Sequence, residues 1–144
     1  MNFRKILIAV DTGPLAVHAA ETGAELAHAL KAEIAFIHVI NASLVYSAES
    51  GIPPNQLVAA AKKEAKQLIS DFHRRLSPRA TAHEFTPVGS PDAEIVNAAK
   101  EWPADVIVIG SHGRKGLQRA LLGSVAEGVM RQAPCPVLVV RAKE

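Results

Sequence analysis

Four β-branched residues in a row, Val106, Ile107, Val108 and Ile109, constrain this chain more than any other stretch. A strand with one wet face alternates apolar and polar residues; an unbroken apolar run is the mark of a parallel strand covered on both faces. Parallel strands cannot be joined by hairpins, so each neighbour must be reached through a crossover, usually a helix. The rest of the sequence has to provide those crossovers.

It does so in order. Ile6 to Val10 is a short apolar strand ending at Asp11, after which Gly13 and Pro14 open a helix that carries Ala20, Ala24, Ala27 and Leu30 on one face. Ile34 to Ile40 reads as the second strand and contains His38. Asn41 to Pro54, with its serines, Gly51 and paired prolines, reads as a long loop, either disordered or a lid. Leu57, Ala61, Ala65, Leu68, Phe72 and Leu76 set a helix from about Asn55 to Leu76. Its other face, with Lys62, Lys63, Lys66, Arg74 and Arg75, reads as solvated; an acidic partner is the alternative. Ala80 to Pro87 alternates, carries His83 and Glu84 and ends in proline, as an edge strand can. Ser90 and Pro91 are expected to cap and open a third helix that stops at Trp102, before Pro103. The apolar run, a glycine loop, a helix from Val125 to about Arg131 and a last strand, Val137 to Val140, complete the chain.

Unbroken alternation of this kind predicts an α/β fold: a five-stranded parallel sheet with right-handed crossovers and helices on both faces. At 144 residues, half of them hydrophobic but few aromatic, the chain is expected to form one domain over 1–144. An edge-like third strand and buried first and fourth strands predict the order 3-2-1-4-5, in which the winding reverses between strands one and four. Such sheets bind ligands at that reversal, outside the carboxyl ends of the strands. Asp11 and the glycine loop both fall there.

The loop has its own logic. Gly110, Gly113, Gly116 and Gly123 let backbone N–H groups approach a ligand with no Cβ in the way. Ser124 followed by Glu127 reads as a capping box at the head of the next helix, whose terminal amides can hold a phosphate. With the Ser124 hydroxyl engaged as a cap, the amides of Ser124 and Val125 are the expected donors. Arg114, Lys115 and Arg119 bring cations within reach. The alternative is that the glycines only make turns and Ser124 only caps. The spacing fits neither the P-loop, which needs Lys after its last Gly, nor GxGxxG. It is Gly-x2-Gly-x9-Gly-Ser, formed by Gly110, Gly113, Gly123 and Ser124.

This pattern, with the KILIAVD opening, the HVI of the second strand and the closing PCPVLVV, resembles the ATP-binding subgroup of the universal stress protein family over essentially the whole chain. The resemblance implies a Rossmann-like, adenine nucleotide alpha hydrolase-like fold. It implies that Asp11 and Val39 hold the adenosine part of ATP and that Ile109 lines the same pocket. Gly110, His112 and Gly113 would follow ribose and phosphates, and Gly123, Ser124 and Val125 would bind the phosphate tail. It also implies a homodimer through the last strand, Pro136 to Val140, a flat apolar edge that invites pairing. Two positions depart from the family pattern: Gly13 and Ala126 stand where a hydroxyl residue is frequent. Each removes one polar contact and leaves the backbone cradle.

The remaining composition narrows the function. A net charge of +2 with interspersed signs gives no nucleic-acid or membrane surface. A single cysteine, Cys135 between Pro134 and Pro136, allows no internal disulfide and reads as a small apolar residue rather than a reactive thiol. No run approaches the roughly 20 apolar residues of a membrane span, and the first strand follows MNFRK directly, so a cytoplasmic protein is expected. His18, His28, His38, His73 and His83 show no metal-site spacing. The leading expectation is a binding and signalling module that holds ATP with Mg2+ or Mn2+, its downstream protein partner unnamed by the sequence. A slow ATPase or phosphotransferase at the same site is the second reading, although only Asp11 and His112 are placed to act as acid or base. A structural stress dimer without nucleotide is the third, and the intact glycine spacing opposes it.

Overall fold

The structure, a computed structural model, describes residues 2–47, 49–112 and 122–141. In chain order the elements are β1 (Lys5–Ala9), α1 (Pro14–Leu30), β2 (Glu33–Ile37), β3 (Ile40–Asn41), α2 (Ala42–Tyr46) and α3 (Pro54–Leu76). They continue as β4 (Ala82–Phe85), β5 (Val88–Gly89), α4 (Pro91–Glu101), β6 (Val106–Gly110), α5 (Ser124–Gln132) and β7 (Val137–Val140). The main sheet is parallel throughout, in the order β4-β2-β1-β6-β7. With the two-residue strands β3 and β5 set aside, this is the expected 3-2-1-4-5, and the winding reverses between β1 and β6.

Successive strand residues point to opposite faces, so each fully covered strand feeds two cores. On one face Ile6, Ile8, Phe36, Val106 and Val108 pack with Ala19, Ala20 and Ala27 of α1 and with Ile69 and Phe72 of α3. On the other, Leu7, Ile37, Ile107 and Ile109 pack with Ile95, Ala98 and Ala99 of α4 and with Ala126 and Val129 of α5. The alanines of α1 allow the helix to lie close to the sheet. At Gly23 the approach is closer still, since a Cβ there would sit 2.9 Å from Ile8 Cδ1 and Cγ1. Leu30, expected on the same apolar face, is 43% exposed.

Four local expectations are corrected. The second strand ends at Ile37 rather than Ile40, and the third spans Ala82–Phe85 rather than reaching Pro87. Pro87 has no N–H to give to the second strand, so the ladder breaks there and resumes as the separate pair β3–β5. The stretch 41–54 is not wholly a loop: Asn41 Oδ1 accepts from the Ser43 N–H at 3.1 Å and from Ser43 Oγ at 2.8 Å, and this cap starts α2. Ser90 precedes α4 without capping it; its hydroxyl donates to Asp92 Oδ1 at 2.8 Å instead.

Candidate functional site

The reversal between β1 and β6 brings three chain ends together. Asp11 lies just past β1 and is half-buried. Its Oδ1 accepts from the Thr12 N–H at 2.8 Å. Val39, also half-buried, lies two residues past β2. The first-strand ladder extends to the Val10 N–H, which donates to the Ile37 carbonyl at 2.9 Å, and His38 Nδ1 stands 2.9 Å from the Val10 carbonyl. The ring thus pins the peptide group that leads into Asp11. The sequence alone places His38 only in the second strand; its one signal there is a polar ring in an otherwise apolar run, one residue before Val39.

Beyond β6, Ile109 is buried against α4 and α5, and Gly110 is half-buried beside Leu15. A Cβ on Gly110 would stand 3.3 Å from Leu15 Cγ. The Ser111 N–H donates to the Val140 carbonyl at 2.8 Å, which holds this end of the strand in the sheet. Residues 113–121 lie outside the described residues, so the expected contributions of Gly113, Arg114, Lys115, Gly116 and Arg119 lie outside them too. The two ends of that loop are nevertheless tied, because the Gly123 N–H donates to the Ser111 carbonyl at 2.6 Å. The start of α5 is therefore anchored to the end of β6.

The capping box is overturned. Gly123 is the N-cap, with φ −64° and ψ 153°, and no side chain caps the helix. Ser124 is the first helical residue, and Glu127 pairs with Arg131 at 2.6 Å rather than reaching back. One turn of the i,i+4 salt bridge is available to Glu127, and Ser124 sits one residue too late to act as the cap. The first intrahelical bond runs from the Glu127 N–H to the Gly123 carbonyl at 2.9 Å. The amides of Ser124, Val125 and Ala126 precede it without an intrahelical acceptor, and the Ser124 hydroxyl is exposed. Ala126 turns its methyl into the core, so a hydroxyl at this position would be buried.

His112 supplies the one buried polar atom at this end of the sheet that lacks a partner among the described residues. Its Nδ1 is 3.1 Å from Ser111 Oγ, while its Nε2 is buried and makes no hydrogen bond. In either tautomer Nε2 is a hydrogen-bonding atom awaiting a partner, and leaving such an atom unsatisfied costs about 1–3 kcal/mol. A ligand oxygen or hydroxyl would relieve that cost. A positive-φ glycine, Gly13 at φ 110°, leads into α1 beside Asp11, and its helix also begins without a side-chain cap. Among the described residues no group of three His, Cys, Asp or Glu is placed to hold a metal ion. Cys135 is remote in character as well as position: burial foremost, then the Asp105 carboxylate, pushes its thiol pKa up, although a hydrogen bond with the Ile107 backbone acts the other way. No described helix is long and apolar enough to cross a membrane.

Comparison with known proteins agrees with the fold. The chain is 32% identical to universal stress protein A homolog 2 of Coxiella burnetii over 148 aligned positions, covering 99% of this chain and 97% of that protein. Among solved structures, that of MJ0577 from Methanocaldococcus jannaschii superposes with a TM-score of 0.88 at 31% identity, covering 100% of this chain and 99% of that one. A universal stress protein in complex with cAMP shares the fold with a TM-score of 0.76 at 20% identity, covering 99% of this chain and 100% of its own. One from Archaeoglobus fulgidus in complex with dAMP does so with a TM-score of 0.66 at 24% identity, covering 98% and 100%. The profile of the universal stress protein family matches residues 2–141, and with the sheet order and loop spacing above it places the chain in that family.

Proposed function

We propose that the protein is an adenine-nucleotide-binding stress-response module that holds ATP at the crevice between β1 and β6. The observation that carries the reading is the Gly123–Ser111 hydrogen bond. It ties the head of α5, with its uncapped first amides, to Ser111, the residue before His112, at the reversal point where Asp11 follows the first strand. Helix N-termini favour anions through their free N–H groups and dipole. Two proteins of the same fold are complexes with adenine mononucleotides, which supports the base and the phosphate as ligand elements.

In this reading Asp11 and Val39 hold the adenosine, with Ile109 lining the pocket, while Gly110, His112 and Gly113 follow ribose and phosphates. Gly123, Ser124 and Val125 take the phosphate tail, with Arg114 as an auxiliary cation. Mg2+ or Mn2+ accompanies the phosphates. The protein acts in the cytoplasm as a homodimer through Pro136 to Val140. The support for the dimer is an open apolar groove of about 330 Å³ along β7, lined by Phe3, Leu26, Leu30, Val106, Pro136, Val137 and Leu138. Leu138 on the edge strand is 38% exposed.

The test is Gly123→Val. A valine accepts the extended backbone seen at this position, so the fold should survive while its side chain fills the space before the α5 amides. Calorimetric titration should then show ATP binding abolished with an unchanged circular dichroism spectrum. Wild-type affinity in a folded Gly123→Val protein would remove the loop from the site.

A further inference from the structure

The ladder between β1 and β2 follows a fixed rhythm. The Glu33 N–H donates to the Arg4 carbonyl at 2.7 Å and the Val10 N–H to the Ile37 carbonyl at 2.9 Å. In a parallel pair of this register the next bond runs from the Val39 N–H to the Val10 carbonyl. It is not made. The Val10 carbonyl is instead met by His38 Nδ1 at 2.9 Å, and no described residue accepts from the Val39 N–H. Because the partner atom is a carbonyl, Nδ1 carries the proton and donates.

The neighbouring residues fix where the released amide points. The N–H groups of His38 and Ile40 donate to the carbonyls of Phe85 and Pro87, at 3.0 and 2.8 Å, on the β4 and β5 side. Backbone groups of successive strand residues alternate sides. The N–H and C=O of Val39 therefore face the other way, toward the end of β1 where Asp11 begins.

We propose that His38 is a positioning residue that takes the Val10 carbonyl out of the ladder and so presents the Val39 backbone to the nucleobase. The inference rests on the nucleotide reading above and adds a basis for its base selectivity. The exposed edge of adenine carries an acceptor, N1, beside an amino donor; guanine reverses the pair with N1–H and a carbonyl. A strand residue offering N–H beside C=O matches adenine and opposes guanine. Without the imidazole, the Val39 N–H is drawn back to the Val10 carbonyl and the match is lost.

Two variants and two readouts test this. His38→Leu removes the donor, whereas His38→Asn keeps an amide N–H near the place of Nδ1. In the nucleotide-free protein, amide hydrogen exchange should find Val39 unprotected in wild type and His38→Asn, and at least about tenfold more protected in His38→Leu, where the ladder bond forms. On titration, His38→Leu should lose about tenfold in ATP affinity while GTP affinity changes little, so that the ATP-to-GTP preference collapses; His38→Asn should retain it. A Val39 amide as protected as Ile37 in the wild type would overturn the proposal, as would a His38→Leu protein that keeps its preference or loses ATP and GTP equally. A wild-type protein that binds no nucleotide would instead overturn the nucleotide reading, and the role of His38 with it; the exchange data separate the two failures.

Discussion

At the scale of single residues, two glycines do opposite things. Gly13 stands at φ 110°, a conformation that side chains with a Cβ rarely adopt, yet nothing lies within 4 Å of where its Cβ would be. The backbone, not crowding, selects glycine here, so a hydroxyl residue introduced at 13 would strain the turn beside Asp11. Gly23 has ordinary helical geometry and no room. Gly23→Ala gains about 1 kcal/mol of helix propensity but pushes a methyl into Ile8, and overpacking of a core costs about 1–3 kcal/mol. We expect a net loss near 1 kcal/mol, read as a lower urea midpoint with an unchanged slope. His112 shows what of the candidate site a sequence carries and what it does not. The family resemblance offered it as a ribose or phosphate contact, but a buried Nε2 with no partner among the described residues is a fact of three-dimensional packing. His38 had no such marker, because its role depends on which carbonyl of a distant strand it meets.

At the scale of elements, starts and stops were decided by hydrogen bonds that periodicity does not record. The apolar patterns located every long helix and all five main strands. The short pieces β3, α2 and β5 were missed because two residues and one turn are too brief to show a period, and Asn41 was read as part of a loop rather than as a cap. The head of α5 has the sequence of a capping box without its geometry, because Ser-x-x-Glu is also produced by an exposed first-turn serine and an i,i+4 ion pair. One element boundary makes a direct prediction. Asp105, just before β6, accepts from the N–H groups of Arg4 and Lys5 at 2.8 and 2.9 Å and so ties the start of β1 to its central neighbour. Asp105→Ala strips both donors of their acceptor at a partly buried site and should cost about 1–3 kcal/mol. Chemical denaturation should show it, with ATP affinity little changed, since this is the opposite end of the strand from Asp11.

At the scale of the whole molecule, topology does most to place function. A parallel sheet that starts in the middle of its own order must reverse its winding, and the reversal sets the carboxyl ends of β1 and β6 side by side. That much followed from Val106 to Ile109 and the alternation around them. The open edge at β7 is the molecule's other unfilled requirement. On the proposed dimer through this edge, sedimentation at micromolar concentration should find the wild type dimeric and Leu138→Lys, which places a charge on the exposed apolar edge, monomeric. A monomeric wild type would refute the interface. The central claim is tested most directly by denaturing the freshly purified protein, identifying any nucleotide released, and titrating the emptied protein with ATP and magnesium in a calorimeter. Recovery of an adenine nucleotide, or saturable binding of ATP at one site per chain, is the predicted result; an empty protein that also gives no binding heat would contradict the account and leave a family fold without its nucleotide.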